Sequence, residues 1–420
     1  MPDIRTLPGP ITWRTDLERG VEHRTVQLKV ITPLFGGGVH IPADTPHIKV
    51  PDHVTPIRGA SIRGQLRFWW RAAHGCQLSL TKMREAEARI WGEAADQDKG
   101  TGPGRVALQI IGQPTVRPIH GVQEQGGEKV PLGRQYGAFP LRPGDKVQGA
   151  KTPGKLHQLD GAVQLRLVLR GLSPEETAGV DHALAAWLAF GGLGGRVRRG
   201  FGAVHRDGQP QPRALLETLA HALTNTAKVP SLAGARLAIR TTRKDTALDA
   251  LDAGLDRLRA FRQGPGIGRN PGSPMPGRSF WPEADEIRRL TGQSAPSHRT
   301  PFTQTRAFPR AAFGLPIIFH FKTHGDPSDT TLVPQSRGGK KLNRFASPLI
   351  IRPFRREDGK YDVLALTLGG PGPGTVLLEG AGVEVTTEIT RGEAAADKMA
   401  RALQGNPDVL AAFLHFFSQP

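Results

Sequence analysis

One segment of the chain fixes its first helix: residues 58–71 read RGASIRGQLRFWWR. Apolar residues recur in it at helical spacing, and the two tryptophans, Trp69 and Trp70, are large enough to fill much of a core. We therefore predict a helix over 59–74, with both tryptophans packed inside the protein.

The same segment carries a row of basic residues. These are Arg58, Arg63, Arg67 and Arg71, and the last three, spaced by four, share one helix face. The sequence between Asp52 and Glu85 contains no acidic residue. Like charges at this spacing destabilise a helix slightly, and a row of phosphates would offset that cost. We interpret the row as a phosphate-binding face; the alternative is a solvated face.

The flanking segments follow the order of a ferredoxin-like domain. Alternating and β-branched residues predict strands at 25–33, 105–111 and 163–170, and Ser173 followed by Pro174 begins a helix that runs to about Phe190. With a final strand after a glycine-rich segment, the order is strand, helix, strand, strand, helix, strand. The sequence therefore predicts the α+β class with a ferredoxin-like, or RRM-like, first domain.

Chain length and a second set of elements indicate two domains. The chain has 420 residues, which exceeds one usual domain. A second round of elements begins with a strand at 236–242 and a helix at 246–262, and later strands include 347–354. We predict an N-terminal domain over 1–210 and a C-terminal domain over 211–420, with long loop and helical insertions.

The second informative segment is rich in glycine: residues 191–202 read GGLGGRVRRGFG. Glycines let a backbone approach a ligand and aim N–H groups at it, and arginines fork onto phosphate oxygens. Phe201 either packs in the core or offers a stacking face. We predict that this segment binds a polyanion through Gly194, Gly195, Arg196, Arg198 and Arg199.

A third basic stretch lies between Asp329 and Glu357, where the sequence holds no acid. Its candidates for nucleic-acid contact are Lys340, Lys341 and Arg344. A run of positive charge is often only a solvated face, and that alternative stays open here.

Composition favours nucleic acid as a partner. The chain has 56 Lys and Arg against 38 Asp and Glu, a formal net charge of +18, and a protein this basic repels itself unless an anion compensates. No run approaches the roughly 18 apolar residues of a membrane helix, and no secretory core follows the first residues, so we expect a cytoplasmic protein with no membrane partner. The single cysteine, Cys76, excludes an internal disulfide and a cysteine-based zinc site, and we expect no cofactor and no metal.

Two enzymatic or metal-binding alternatives rest on acidic residues. The loop after the first strand carries Asp44, His47 and Asp52, which would suit a metal-dependent or acid–base endoribonuclease. Downstream, the residues Asp245, Asp249, Asp252 and Asp256 share one helix face. That face would be a metal site, a dock for a basic partner, or simply a solvated acidic surface.

A further hypothesis is an assembly protein whose arginines meet acidic surfaces of partner proteins. It shares the basic segments with the nucleic-acid hypothesis and differs only in what neutralises them. No motif in the sequence singles out a catalytic group, so we assign no catalytic residue.

With these residues identified, the chain resembles the RAMP superfamily of CRISPR proteins, whose signature is a glycine-rich loop before a final strand, here 191–202. More narrowly, it is similar to the first-numbered RAMP subunit of the Cmr complex, the type III-B RNA-guided effector. The most specific match is the run RGQLRFWWR at 63–71. Further matching pieces follow in order at 31–38, 90–92, 281–288, 313–317 and 344–350.

The resemblance implies two ferredoxin-like domains and a non-catalytic place at one end of the complex, in antiviral defence. There the chain would contact the 3′ part of the guide CRISPR RNA, the paired target RNA and other RAMP subunits. In the backbone subunit of such complexes, an aspartate after the first strand supports metal-dependent target cleavage. Asp44 and Asp52 occupy a comparable stretch, but no motif match transfers that role to them.

Overall fold

A computed structural model describes residues 20–36, 38, 52–93, 102–123, 126–142, 154–273, 275–336, 338–396 and 398–420. The elements of the first half are β1 (Val21–Val30), α1 (Gly59–Ala73), α2 (Leu80–Trp91), β2 (Val106–Ile111), β3 (Thr115–His120), α3 (Leu132–Gly137), β4 (Lys155–Asp160), β5 (Ala162–Arg170), α4 (Pro174–Phe190), β6 (Val204–His205) and α5 (Pro212–Ala220). Across the described ranges, no helix is long and apolar enough to cross a membrane.

The elements of the second half begin with a long strand and end with an apolar helix. They are β7 (Ser231–Lys244), α6 (Ala247–Gln263), α7 (Glu283–Thr291), β8 (Ile317–Phe319), β9 (Thr330–Pro334), β10 (Leu349–Arg355), β11 (Tyr361–Gly369), β12 (Val376–Leu378), β13 (Val383–Val385), α8 (Arg391–Ala395), α9 (Ala400–Leu403) and α10 (Val409–Ser418).

The first sheet has the strand order predicted for a ferredoxin-like domain. It runs β2-β5-β1-β6 and is antiparallel throughout, so the four strands that alternate with α1 and α4 take the spatial order 2-3-1-4. Ser173 caps α4 in a reciprocal capping box with Glu176, as the sequence indicated. The predicted α+β class is confirmed, and the hairpin β3–β4 with α3 forms an insertion between β2 and β5.

The second half repeats this plan with three strands. Its sheet has the order β10-β11-β7, and α6 follows β7 while α10 follows β11 along the chain. This matches the first three strand positions of the ferredoxin-like order. Segments inserted around this unit pair into a separate antiparallel sheet, β13-β12-β9-β8.

The second sheet is buried on both faces, and this joins the halves into one layered body. In β10, Ile350 and Phe354 pack into a cluster with α1, α4 and the first sheet, while Leu349 and Ile351 pack into a second cluster with α6 and α10. Continuous burial explains why β10 reads as an apolar run rather than an alternating one. The apolar core therefore crosses residue 210, and the predicted division at 210/211 stays a prediction.

A buried ion pair clamps the inserted helix α3 to α6. The Arg134 guanidinium donates two hydrogen bonds to the Asp252 carboxylate, at 3.2 Å from Nε and 2.7 Å from Nη2. A Cβ on Gly133 would lie 2.1 Å from the Asp252 backbone oxygen, so only glycine permits this approach of the two helices. Burial outweighs the contact with Arg134 and raises the pKa of Asp252.

We expect Asp252→Asn to lower the free energy of unfolding by about 3–5 kcal/mol, because Arg134 would then be a buried charge without its partner. The measurement is the thermal unfolding temperature at neutral pH. Asp245→Asn is the matched control, since Asp245 pairs with Lys360 at the exposed surface. Equal effects of the two substitutions would contradict the role of the clamp.

The β3–β4 hairpin docks onto the chain that follows β1 through a buried histidine strand. Leu34 and His157 exchange two backbone hydrogen bonds, of 2.8 and 3.0 Å. Burial, helped by the nearby charge of His53, lowers the pKa of His157 from 6.5 to about 4. The folded protein therefore holds this imidazole neutral under conditions where an unfolded chain would protonate it.

This shift makes stability depend on pH in a defined window. Because the unfolded chain binds a proton from about pH 6.5 and the folded chain only near pH 4, the contribution of His157 is complete above pH 6.5. It is lost as the pH falls to about 4, by about 3 kcal/mol in total. We expect His157→Leu to make the unfolding temperature fall less steeply between pH 6.5 and 5. His221→Leu, at the exposed surface, is expected to leave that slope unchanged.

Candidate functional site

The arginine row of α1 faces α2, where a single acid neutralises part of it. Arg67 Nε and Arg71 Nη1 each donate to Glu87 Oε1 at 2.6 Å, and the Glu87 side chain is only 7% exposed. Arg63 Nη1 donates to the Trp91 carbonyl at 3.0 Å. The expectation that the row has no acid nearby is therefore wrong for Arg67 and Arg71, because folding brings in an acid from the next helix.

The row nevertheless keeps an excess of positive charge. Three arginines face one carboxylate, and the side chains of Arg67 and Arg71 each remain 33% exposed. Arg58 stands at the position preceding α1, in an extended backbone conformation. Both tryptophans are buried as predicted, with 1% exposure each.

The glycine-rich segment lies at the junction of the two halves. Its Gly195 N–H donates to the Phe35 carbonyl at 2.7 Å, and its Gly202 N–H donates to the Pro33 carbonyl at 2.8 Å. These backbone donors hold the loop to the chain after β1. The idea that Gly195 offers its N–H to a ligand is therefore corrected: that hydrogen bond is made within the protein.

Two glycines in the loop are required by close packing. A Cβ on Gly200 would lie 2.7 Å from the Ile351 carbonyl oxygen, and one on Gly202 would lie 2.0 Å from the Leu193 carbonyl oxygen. Both have positive φ, 77° and 66°. Phe201 between them is fully buried, which confirms the core interpretation over the stacking one.

The three arginines of the loop are held by carbonyl oxygens and aromatic rings. Arg198 donates to the Ser347 carbonyl and lies over the Phe68 ring, 5.4 Å from its centroid. Arg199 donates to the Leu349 carbonyl at 3.2 Å. Arg196 lies 5.8 Å from the Phe35 ring centroid and is itself in the left-handed region, with φ of 52°. A non-glycine residue in that region marks local strain.

These arginines sit close enough to other cations to affect one another. Burial lowers the pKa of all three, that of Arg199 to about 10, and neighbouring guanidinium groups lower them further. Arg344 acts on Arg196 and Arg198, and Arg262 acts on Arg199. All remain charged at neutral pH.

We call this group the junction cluster, and it consists of Arg196, Arg198, Arg199, Arg262 and Arg344. Within the described part of the chain, no carboxylate lies within ion-pair distance of any member. Sequence analysis missed Arg262, which lies on α6 and donates to the Tyr136 hydroxyl at 3.0 Å. Only its position in the fold connects it to the loop.

The two informative segments meet at a cleft of about 190 Å³. Helix α1 contributes Gln65, Phe68 and Trp69 to its walls, and the glycine-rich segment contributes Gly191, Val197 and Arg198. Phe190 and Ile350 complete the lining. The arginine row lies on a different face of α1 from Gln65 and Phe68, so the cleft belongs to the junction cluster rather than to the row.

The third basic stretch is divided by folding. Arg344 is exposed and joins the junction cluster, while Lys341 pairs with Glu379. Lys340 is exposed on the turn that precedes it. Of the three candidates, only Arg344 is brought next to the glycine-rich segment.

The acidic candidates serve local structure where they are described. Asp52 accepts hydrogen bonds from the Val54 N–H at 2.8 Å and the Thr55 hydroxyl at 3.1 Å, which lower its pKa. Asp44 and His47 lie outside the described residues. Elsewhere in the described ranges, no three His, Cys, Asp or Glu side chains come together as a metal site requires.

The predicted acidic face on α6 does not form one uniform surface. Asp252 is buried against Arg134, and Asp256 pairs with Arg259 at 2.9 Å. Asp249 accepts a hydrogen bond from the capping residue Thr246. These carboxylates therefore have structural partners of their own.

Comparisons with known proteins give one family match and several similar structures. Residues 27–205 match the family model described as the RAMP superfamily, and no curated protein matches the sequence. The chain is similar to Cmr1 from Pyrococcus furiosus in its apo form, with 14% identity, a TM-score of 0.45, and 83% of this chain and 88% of that chain covered. It is also similar to a chain of the type III-B Cmr-beta complex bound to cognate target RNA, with 10% identity, a TM-score of 0.42, and coverage of 94% and 100%. Likeness at these TM-scores carries no argument about function.

We expect Gly202→Ala to destabilise the protein far more than Gly208→Ala. Both glycines have positive φ, so each substitution costs about 1–2 kcal/mol of backbone strain. At Gly208 a Cβ meets open space, whereas at Gly202 it collides with the Leu193 carbonyl. Thermal unfolding of the two variants measures the difference, and equal losses would show that the loop is not packed as described.

Proposed function

Residues 27–205 belong to the RAMP superfamily, and from this premise we propose that the chain is a non-catalytic, RNA-binding subunit of a type III-B CRISPR effector of the Cmr kind. In this proposal it stands at one end of the complex, beside other RAMP subunits. It contacts the 3′ part of the guide RNA and the target RNA paired with it. The sequence run at 63–71, which resembles the first-numbered Cmr subunit, supports this placement.

The junction cluster is the observation that carries the proposal. Its five guanidinium groups gather where the glycine-rich segment meets β10 and α6, and their charges act on one another without a carboxylate partner among the described residues. Keeping such charges together in a half-buried place opposes folding. A ribose–phosphate chain supplies the missing negative charge, and arginine forks onto phosphate oxygens in two-point contacts.

The arginine row of α1 supports the proposal as a second contact. Glu87 removes one of its three positive charges and holds Arg67 and Arg71 in fixed positions. Fixed, partly exposed guanidinium groups lose less entropy on binding phosphate than free ones. We infer that Arg58, Arg63, Arg67 and Arg71 contact the RNA backbone, together with Lys340, Lys341 and the loop residues Gly194 and Gly195.

A binding role fits the described chemistry better than cleavage. The Asp52 carboxylate is used by its own turn, and its depressed pKa makes it a poor base. The basic clusters offer hydrogen-bond donors to phosphate, and among described residues no base faces them at an ion-pair distance.

We expect RNA binding by the full chain to weaken steeply with salt. The double variant Arg196→Ala with Arg344→Ala should flatten the plot of log affinity against log salt by about 1.4, because each lost phosphate contact removes about 0.7 for a single strand. The measurement is filter binding of a labelled single-stranded RNA between low and physiological salt.

The matched control is Arg117→Ala with Lys360→Ala. It removes the same formal charge, but from residues that already pair with Asp160 and Asp245. An equal change of slope in both double variants would show that only net charge matters. No RNA affinity at low salt would contradict the proposal and favour the assembly hypothesis, in which the arginines meet acidic partner surfaces.

A further inference from the structure

The cleft between α1 and the glycine-rich segment has the composition of a site for a flat aromatic group. Phe68 is half-buried at its wall, with the Trp69 ring edge-on at 5.2 Å and the Arg198 guanidinium at 5.4 Å from its centroid. Gln65, three residues before Phe68 on the same helix face, contributes an amide that both donates and accepts hydrogen bonds. The lining contains no acid.

Its size limits what it can hold. Sites for drug-sized ligands measure roughly 300–1,000 Å³, and this cleft measures about 190 Å³. It therefore has room for a single heteroaromatic ring system but not for a nucleotide with its sugar and phosphate. Any ribose and phosphate attached to such a ring would have to lie outside.

The cleft also borders an unused hydrogen-bond donor. The Trp69 indole N–H is buried and has no partner among the described residues. A Cβ on Gly191 would lie 2.6 Å from that nitrogen, so the glycine leaves the indole edge uncovered by any side chain. Buried donors are usually satisfied, and an orphan one beside a cleft indicates a place for an acceptor.

We propose that this cleft receives one unstacked nucleobase of the bound RNA. The base lies against the Phe68 ring beside the Arg198 guanidinium, and Gln65 contacts its polar edge. Aromatic faces and guanidinium planes are the groups that bind splayed-out bases in single-stranded RNA. This inference rests on the proposed RNA-binding function and adds a subsite to it.

The placement of charge agrees with a base inside and a phosphate outside. Arg198 lines the cleft and is also a member of the junction cluster, within the electrostatic reach of Arg344. The backbone of the bound nucleotide would therefore run over Arg196 and Arg344 while its base enters beside Phe68. One strand satisfies both the cluster and the cleft.

The test compares a ten-nucleotide oligouridylate with an abasic ribose–phosphate chain of the same length, both bound to the full chain. We expect the oligouridylate to bind roughly tenfold more tightly, the effect of stacking one base on an aromatic ring. Phe68→Leu, which keeps an apolar side chain, should reduce this preference to within about twofold. Its affinity for the abasic chain and its salt slope should not change.

Phe139→Leu is the matched control, because Phe139 is an exposed phenylalanine outside the cleft; it should keep the tenfold preference. Equal affinity of the unmodified protein for both chains would overturn the base subsite and leave RNA binding intact. Absence of binding to either chain would overturn both proposals.

A second measurement needs no variant. Oligouridylate carrying 4-thiouridine should crosslink, on irradiation, to the peptide that contains Phe68 and Trp69. Crosslinks confined to other peptides of a protein that binds this RNA would overturn the inference even if Phe68→Leu failed to fold.

Discussion

The close approach of the glycine-rich segment to β10 and to the chain after β1 is the constraint on which the rest of the structure depends. Gly200 and Gly202 let the loop pass against the carbonyls of Ile351 and Leu193, where any side chain would collide. Phe201 is thereby driven into the core shared with α6. The arginines between and before these glycines are consequently fixed at the seam between the two halves.

Positive charge is gathered at that seam at a cost. Burial and mutual repulsion lower the pKa of Arg196, Arg198 and Arg199. Backbone carbonyls of Ser347 and Leu349 and the rings of Phe35 and Phe68 compensate part of that cost. Carbonyls and rings orient a guanidinium without cancelling its charge, so the groups stay available to an external anion.

The two basic surfaces therefore differ in kind. On α1, Glu87 organises the arginine row through a buried carboxylate, which leaves a weaker net charge in a rigid geometry. At the junction, the charge is unbalanced within the described chain and lies next to an aromatic cleft. A strand of RNA bound across both would be held by its phosphates along α1 and by phosphate and base at the junction.

The sequence by itself determined the elements and their types. Local periodicity, the Ser173 cap and the glycine-rich segment identified α1, α4 and the strands of the first sheet, because these signals act over a few residues. Only the tertiary structure decided that Glu87 neutralises Arg67 and Arg71, that Arg262 joins the loop arginines, and that Lys341 turns to Glu379. Those pairings join residues from separate elements, and an ion pair depends on distance in space, which spacing along the chain does not specify.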